Sequence, residues 1–303
     1  MFKTPILFLI FNRPDTTFLV FEEIRKIKPK SLYVAADGAR PEKNGEKELC
    51  EASRSVLAKI DWDCEVKTLF REHNLGCGKA VSGALDWFFE QNEMGIILED
   101  DCLPDPSFFN YCEVLLEKYK NDERISTIGA SNYQIKNNTI YSYYFSIYSH
   151  IWGWATWRRT WNLYKYSLEN YNKEILIRNF KTSNEVNFWD AIYSKMDKNY
   201  IPDTWDYQLQ FINFKYNMLS IIPSVNMVKN IGFYNGTHLI ENIPSYHFNL
   251  RFGSIDKIIF PETVIRDYKA DLYFYNNMLS LNSLTMTEKI KRIIYKFYQF
   301  LFK

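Results

Sequence analysis

An α/β fold built on a mostly parallel, twisted sheet with helices on both faces is what this sequence predicts, and three observations lead there. Short, continuously apolar runs recur through the first hundred residues of the 303. Stretches with helical spacing separate them, and each run ends in a turn or an acid. The resulting order, β-α-β-α-β-α-β, is that of parallel strands joined by crossover helices.

Residues 5–11, Pro-Ile-Leu-Phe-Leu-Ile-Phe, show no apolar/polar alternation, so they read as a strand buried on both faces. The turn Asn12-Arg13-Pro14-Asp15 follows, and Asp15 is expected to cap a helix over 16–27, with Phe18, Phe21, Ile24 and Ile27 on one face. Ser31–Ala36 is a second strand ending at Asp37-Gly38. A charged helix over 42–60 leads to a strand around Cys64–Phe70. The loop His73–Gly78 opens a helix over 79–90, and a strand over 95–99 delivers Glu99, Asp100 and Asp101 at its tip.

Beyond residue 110 the pattern changes. A helix near 107–120 precedes Ile125–Gly129, and a Tyr-rich stretch over 133–148 suits antiparallel strands. The Trp-rich segment 152–161, a polar helical region over 165–198 and an apolar helix over 205–215 come next, with short strands at Ser220–Pro223 and Asn226–Asn230. With no internal repeat and no Pro/Gly linker, residues 1–265 read as one domain, its nucleotide-binding half about 1–125 and its acceptor half about 126–265. Residues 266–303 form a helical tail. In it Ile290, Ile293, Ile294, Phe297, Phe300 and Leu301 recur at helical spacing among lysines and an arginine. Such a basic amphipathic helix lies on an anionic membrane or docks on its own domain.

Composition narrows the class. A chain with 47% hydrophobic and 24% charged residues is globular, and a net charge of +1 gives no bulk attraction for nucleic acid. The 17% aromatic content fits either a Tyr/Phe-rich core or a surface that stacks on sugar rings. Cys50, Cys64, Cys77, Cys102 and Cys112 make neither a C-x-x-C pair nor a Cys/His metal spacing, so reduced thiols in a cytoplasmic protein are expected. No run reaches the roughly 18 apolar residues of a membrane span, and the N-terminus is not a signal peptide.

Three adjacent carboxylates at a strand tip repel one another unless a cation or hydrogen-bond donors offset them. Mg²⁺ or Mn²⁺ takes one or two carboxylates and completes its shell with phosphates and water; a solvated strand end is the plainer alternative. Gly76-Cys77-Gly78-Lys79-Ala80 has the spacing of neither a phosphate loop nor a dinucleotide fingerprint. It remains a flexed turn at a helix N-terminus that can approach a ligand, with Asn74 and Lys79 as donor-binding candidates. Arg13 and Asp37 share the edge where open α/β sheets bind ligands, and each is otherwise an ordinary turn residue. Trp205-Asp206 opens the later helix; Asp206 is either a cap or a general base, since a carboxylate ionised at neutral pH can take a proton from an alcohol.

Taken together, Pro5–Phe11 with Asn12-Arg13-Pro14, the Asp37-Gly38 turn, Asn74–Gly78, Ile96–Asp101 and Ile151-Trp-Gly-Trp-Ala-Thr-Trp157 resemble bacterial GT-A glycosyltransferases of the family 2 type. The Glu-Asp-Asp triplet and the later Trp-Asp are similar to the N-acetylglucosaminyltransferase I group. The resemblance spans roughly residues 3–240. It implies a nucleotide-diphosphate sugar donor, a UDP-sugar favoured, with Mn²⁺ or Mg²⁺ and inversion at the anomeric carbon. It implies a glycan or lipid-linked acceptor hydroxyl, and surface-polysaccharide synthesis by analogy. Carried over, Asp101 would bind the metal, Glu99 and Asp100 the ribose and sugar, and Arg13 and Asp37 the nucleoside. His238 would be a late metal or diphosphate contact, and Asp206 the catalytic base. Trp152, Trp154 and Trp205 would face the acceptor, with core packing as the alternative for the tryptophans. A nucleotidyltransferase, a metal-dependent phosphohydrolase, or a non-catalytic glycan- or nucleotide-binding module would use the same acids without needing the base.

Overall fold

Residues Ile6–Ile10 form a strand, β1, whose alternate side chains enter two different apolar layers. Ile6, Phe8 and Ile10 pack with Val20, Phe21 and Ile24, while Leu7 and Leu9 pack with Leu85 and Phe88. A strand covered on both faces has no polar side to show, which is why its sequence is continuously apolar. The computed structural model describes residues 2–135, 139–168, 171–197, 202–232 and 250–280.

The first half is α1 (Pro14–Ile27), β2 (Ser31–Ala36), α2 (Glu46–Arg54), β3 (Glu65–Phe70), α3 (Cys77–Phe89) and β4 (Met94–Glu99). A short strand β5 (Cys102–Pro104), α4 (Ser107–Lys118) and β6 (Ile125–Gly129) follow, then β7 (Tyr143–Ser146), β8 (Trp154–Trp157) and α5 (Arg158–Trp161). The remaining elements are α6 (Glu174–Ile177), α7 (Ser183–Met196), α8 (Asp206–Tyr216), β9 (Leu219–Pro223), β10 (Val228–Asn230) and α9 (Tyr268–Phe274). The main sheet has eight strands in the order β3-β2-β1-β4-β8-β6-β9-β7. Only β8 and β7 run against the others. The chain builds outward from β1 to β3 and then returns to place β4 on the other side of β1. The crevice beyond the strand tips at such a reversal is where open α/β sheets hold ligands.

Several elements differ from expectation. Asp15 caps nothing: Arg13 takes the cap position of α1 and Pro14 begins it, since proline's fixed φ suits a first turn. The helix expected over 42–60 is α2 followed by a tighter turn at Ser55–Lys59. The Tyr-rich stretch yields one strand, β7, antiparallel to β9. The Trp-rich segment contributes β8, which lies antiparallel between β4 and β6 in the middle of the sheet.

Residues 266–274, grouped with the tail by sequence, pack onto this sheet. Asp271 is buried and accepts hydrogen bonds from Ser146 Oγ (2.5 Å), Ile147 N–H (3.3 Å) and Arg266 Nε (2.5 Å), tying α9 to β7. The amphipathic segment 286–303 lies outside the described residues, and so does His238. Among the described residues no helix is long and apolar enough to cross a membrane. All five cysteines are free.

Two stability predictions follow from buried polar groups. Removing one partner of a buried ion pair strands the other, so Asp271→Ala should cost about 3–5 kcal/mol, read as a lower urea midpoint at unchanged slope. A loss under about 1 kcal/mol would mean the pair is not a structural anchor. His150 is buried, and its Nδ1 donates to Ser131 O at 2.7 Å; burial holds the ring down at about 4 against an ordinary 6.5. Between those values the unfolded chain binds a proton that the folded ring refuses, so stability falls as pH drops from 6.5 toward 4. This part amounts to at most about 3 kcal/mol. His150→Gln should flatten the thermal-stability profile across that window, and an unchanged profile would exclude His150 as its source.

Candidate active site

The tips of β1 and β4 lie side by side, paired in parallel up to Leu9 and Glu99. Just past them, Phe11 N–H donates to Asp100 Oδ2 at 3.0 Å. The Arg13 guanidinium pairs with both neighbouring acids, through Nη2 with Asp100 and through Nη1 with Asp101 Oδ2 at 2.7 Å. Asp100 is buried, turned inward, with both oxygens engaged. Asp101 Oδ1 lies 3.4 Å from the Cys102 thiol. β10 pairs antiparallel with β5 and leads Ile231 N–H to the Asp101 carbonyl at 2.8 Å. Gly232 then passes so close that a Cβ there would sit 2.4 Å from Asp101 Oδ2 and 2.7 Å from Arg13 Nη1. Glu99 is half-buried and has no hydrogen-bond or ion-pair partner among the described residues.

One guanidinium therefore faces three carboxylates. Lost hydration raises the Glu99 carboxyl above its usual range, and the charges of Asp101, Asp100 and, farther off, Asp206 add to this against Arg13. Asp100 is pushed up to about 6 by burial, although Arg13 and the Phe11 amide favour its charged form. Burial works against the Arg13 charge, but Asp100, Asp101 and Glu99 outweigh it and raise that group well above its ordinary value. Among the described residues no three His, Cys, Asp or Glu side chains converge as a metal cage. The donor set nonetheless suits a hard divalent ion, which needs only one or two carboxylates beside substrate phosphate. Asp101 shares Arg13 with Asp100, and the Glu99 carboxyl has no partner of its own among the described residues.

The neighbouring strand tip is held by its own loop. Leu75 N–H donates to both oxygens of buried Asp37, at 3.1 and 3.0 Å. Burial raises the Asp37 carboxyl, with the amides of Leu75, Gly38 and Gly76 pulling the other way. Asn74 Nδ2 donates to Gly38 O at 2.8 Å while its Oδ1 accepts from Gly76 N–H at 3.2 Å. Lys79 is exposed on the first turn of α3. Behind this rim Glu46, buried, accepts from Asn12 Nδ2 (2.8 Å) and from the Arg40 amide (2.7 Å) and guanidinium. The Arg40 side chain, chiefly, holds the Glu46 carboxyl down to about 2.

The glycine turn receives a carboxylate from the other half of the chain. Asp203 accepts from Cys77 N–H (3.2 Å) and Gly78 N–H (2.8 Å) at the head of α3. Gly76 has φ +78°, and a Cβ on it would lie 2.8 Å from either Asp203 oxygen. Three residues on, Asp206 is the first residue of α8 with Trp205 at the cap position, so Asp206 does not cap the helix. Its Oδ1 accepts from Thr204 Oγ1. The Cys77 side chain is exposed, yet its thiol is pushed up to about 12, first by lost hydration and then by Glu99, Asp203, Asp206 and Asp37.

The tryptophans part company. Trp154 and Trp205 are 1% and 2% exposed and stack on each other, ring centroids 5.5 Å apart at 20°. The acceptor role expected of both is corrected: they fill the layer under the sheet, because β8 is an internal strand and Trp205 roots α8. Trp152 is half-exposed and meets Tyr133 edge-on. Gly153 has φ +65°, the left-handed turn that lets the chain enter β8, and a Cβ on it would meet Val228 at 2.7 Å.

No protein-family model matches the chain, and no curated protein matches its sequence. Distant likenesses exist among solved structures. Staphylococcus aureus TarS (residues 1–349) is 11% identical over 75% of this chain, with a TM-score of 0.43, and the match covers 59% of the TarS fragment. Mouse xyloside xylosyltransferase 1 is 9% identical over 72% of this chain and 84% of its own, with a TM-score of 0.38. HddC of Yersinia pseudotuberculosis is 10% identical over 82% and 97%, with a TM-score of 0.36. At such scores they assign no family.

Proposed function

We propose that this protein is a metal-dependent, inverting glycosyltransferase of GT-A type. It would move a sugar from a nucleotide-diphosphate donor, a UDP-sugar favoured, to a hydroxyl of a glycan or lipid-linked acceptor. One observation supports the reading: Asp203 accepts from the Cys77 and Gly78 amides and Gly78 lies against Thr204, so the turn that leads into Asp206 in the later half rests on the loop beside the Asp37 strand tip in the first. A nucleotidyltransferase or phosphohydrolase has no need of that second acid.

In this reading the nucleoside lies along the tips of β1 and β2, by Arg13, Asp37 and the Asn74 turn, with Lys79 toward the phosphates. Asp100, locked by Arg13 and the Phe11 amide, holds the triplet in place rather than the sugar. Glu99 and Asp101 would hold a divalent cation, with His238 as a candidate further ligand; Mn²⁺ or Mg²⁺ there supplies positive charge against the leaving diphosphate. Asp206 takes the proton of the acceptor hydroxyl as its oxygen attacks the anomeric carbon, and the bond to the donor phosphate breaks on the opposite face, which inverts the centre. Thr204 donates to one oxygen of Asp206, orienting the other toward the acceptor. Trp152 is the remaining aromatic candidate for the acceptor side. Membrane contact through the segment 286–303 would bring a lipid-linked acceptor within reach.

A panel of nucleotide-sugars with Mn²⁺, scored separately for transferred sugar and for released pyrophosphate, tests the reaction class; pyrophosphate release without transfer would replace this reading by a nucleotidyltransferase. Loss of a general base typically costs about 10²–10⁴-fold, so Asp206→Asn should lower kcat by that factor and leave donor KM nearly unchanged. Collapse of donor binding in that variant would make Asp206 structural. Asp101→Asn should abolish the Mn²⁺-dependent part of donor binding, followed as the thermal shift that donor produces with and without the metal. Full activity in excess chelator would exclude the metal.

A further inference from the structure

The carboxylate of Asp203 is the only side chain among the described residues that joins the glycine turn to the segment bearing Asp206 by hydrogen bonds. The contact is a fitted one. Gly78 runs against the main chain of Thr204 so closely that a Cβ on it would lie 2.8 Å from Thr204 O, 2.9 Å from Thr204 N and 2.5 Å from Tyr166 Oη. Buried Gln208, one turn into α8, donates from Nε2 to Tyr166 O (3.0 Å) and Thr204 O (3.2 Å), closing the far side of the same turn. Thr204 in turn donates its hydroxyl to Asp206. A chain of contacts thus runs from the amides at the head of α3, through Asp203 and Thr204, to Asp206.

We propose that Asp203 is a positioning residue: held by the amides of Cys77 and Gly78, it fixes the turn that sets Asp206 relative to the acid triplet. The triplet closes β4 and Asp206 opens α8, and α3, which begins at the glycine turn, packs through Ala84, Leu85 and Phe88 in the same layer as Ile97 of β4. Without the Asp203 bonds no side-chain hydrogen bond among the described residues ties the turn to the head of α3, and what remains is the support of Gln208 and of Trp205, stacked on Trp154. Misplacing a reacting group by about 1 Å costs on the order of 100-fold in rate, so a turn released on one side lowers turnover while the donor site keeps its shape. This rests on the reading of Asp206 as base.

The full chain, assayed for transfer with a nucleotide-sugar, Mn²⁺ and an acceptor found by the panel above, tests it together with amide hydrogen exchange in the absence of substrate. Asp203→Ala is expected to lower kcat about 10–100-fold with donor KM within about twofold. It should also accelerate exchange of the Cys77 and Gly78 amides about tenfold. Asp203→Asn keeps an acceptor oxygen and should recover most of kcat. Gly78→Ala leaves Asp203 intact but forces Thr204 away, and should show the same kcat loss; thermal unfolding verifies that each variant is folded. If exchange accelerates while kcat stays at the wild-type level, Asp203 is only a helix cap and the proposal is overturned. Unchanged exchange at both amides overturns the clamp itself. Wild-type turnover in Asp206→Asn instead overturns the base reading, and the role of Asp203 with it, and the exchange data keep the two failures apart.

Discussion

The pairing of Arg13 with Asp100 and Asp101 is the contact on which the rest of the site depends. Three successive carboxylates at the end of a buried strand are tolerable only where something offsets their charge. Here the offset comes from the turn after the adjacent strand, so β1 and β4 are bound together at their tips by charge as well as along their length by backbone hydrogen bonds. The compensation is incomplete. Asp100 is fully engaged and becomes framework, whereas the half-buried Glu99 carboxyl has no partner among the described residues and is raised above its usual range.

Distant segments converge on that edge. The strand β10 exists mainly to run back along β5, and in doing so it lays Ile231 and Gly232 across Asp101. The turn before α8 arrives from the opposite side and rests on the head of α3. Glycines mark these approaches because the incoming groups lie where a Cβ would be: Asp203 at Gly76, Thr204 at Gly78 and Asp101 at Gly232.

Much of this was legible in the residues. The unbroken apolar runs of β1, β2 and β4 and the helical spacing between them announce a parallel sheet, and Glu99–Asp101 stand out because three successive acids at a strand tip repel one another. What escaped is the long-range pairing. Nothing local in Pro202-Asp203-Thr204 tells that its carboxylate caps a helix more than a hundred residues earlier, and Gly232 looks like any loop glycine. The Glu46–Arg40 pair gave no local signal, Glu46 being one of several acids in the charged helix expected over 42–60 and Arg40 lying before it. Trp154 and Trp205 misled for a different reason: a tryptophan reads equally as a sugar platform or as core, and it is the insertion of β8 between β4 and β6 that buries Trp154 and the stacking on it that buries Trp205.

That insertion has a mechanical meaning. Because β8 comes from the later half of the chain yet is hydrogen-bonded to β4 of the earlier half, the nominal donor and acceptor regions are stitched through a single continuous sheet. The sheet fixes β8 against β4, and the turn before α8 is set against that frame by its contacts at the head of α3.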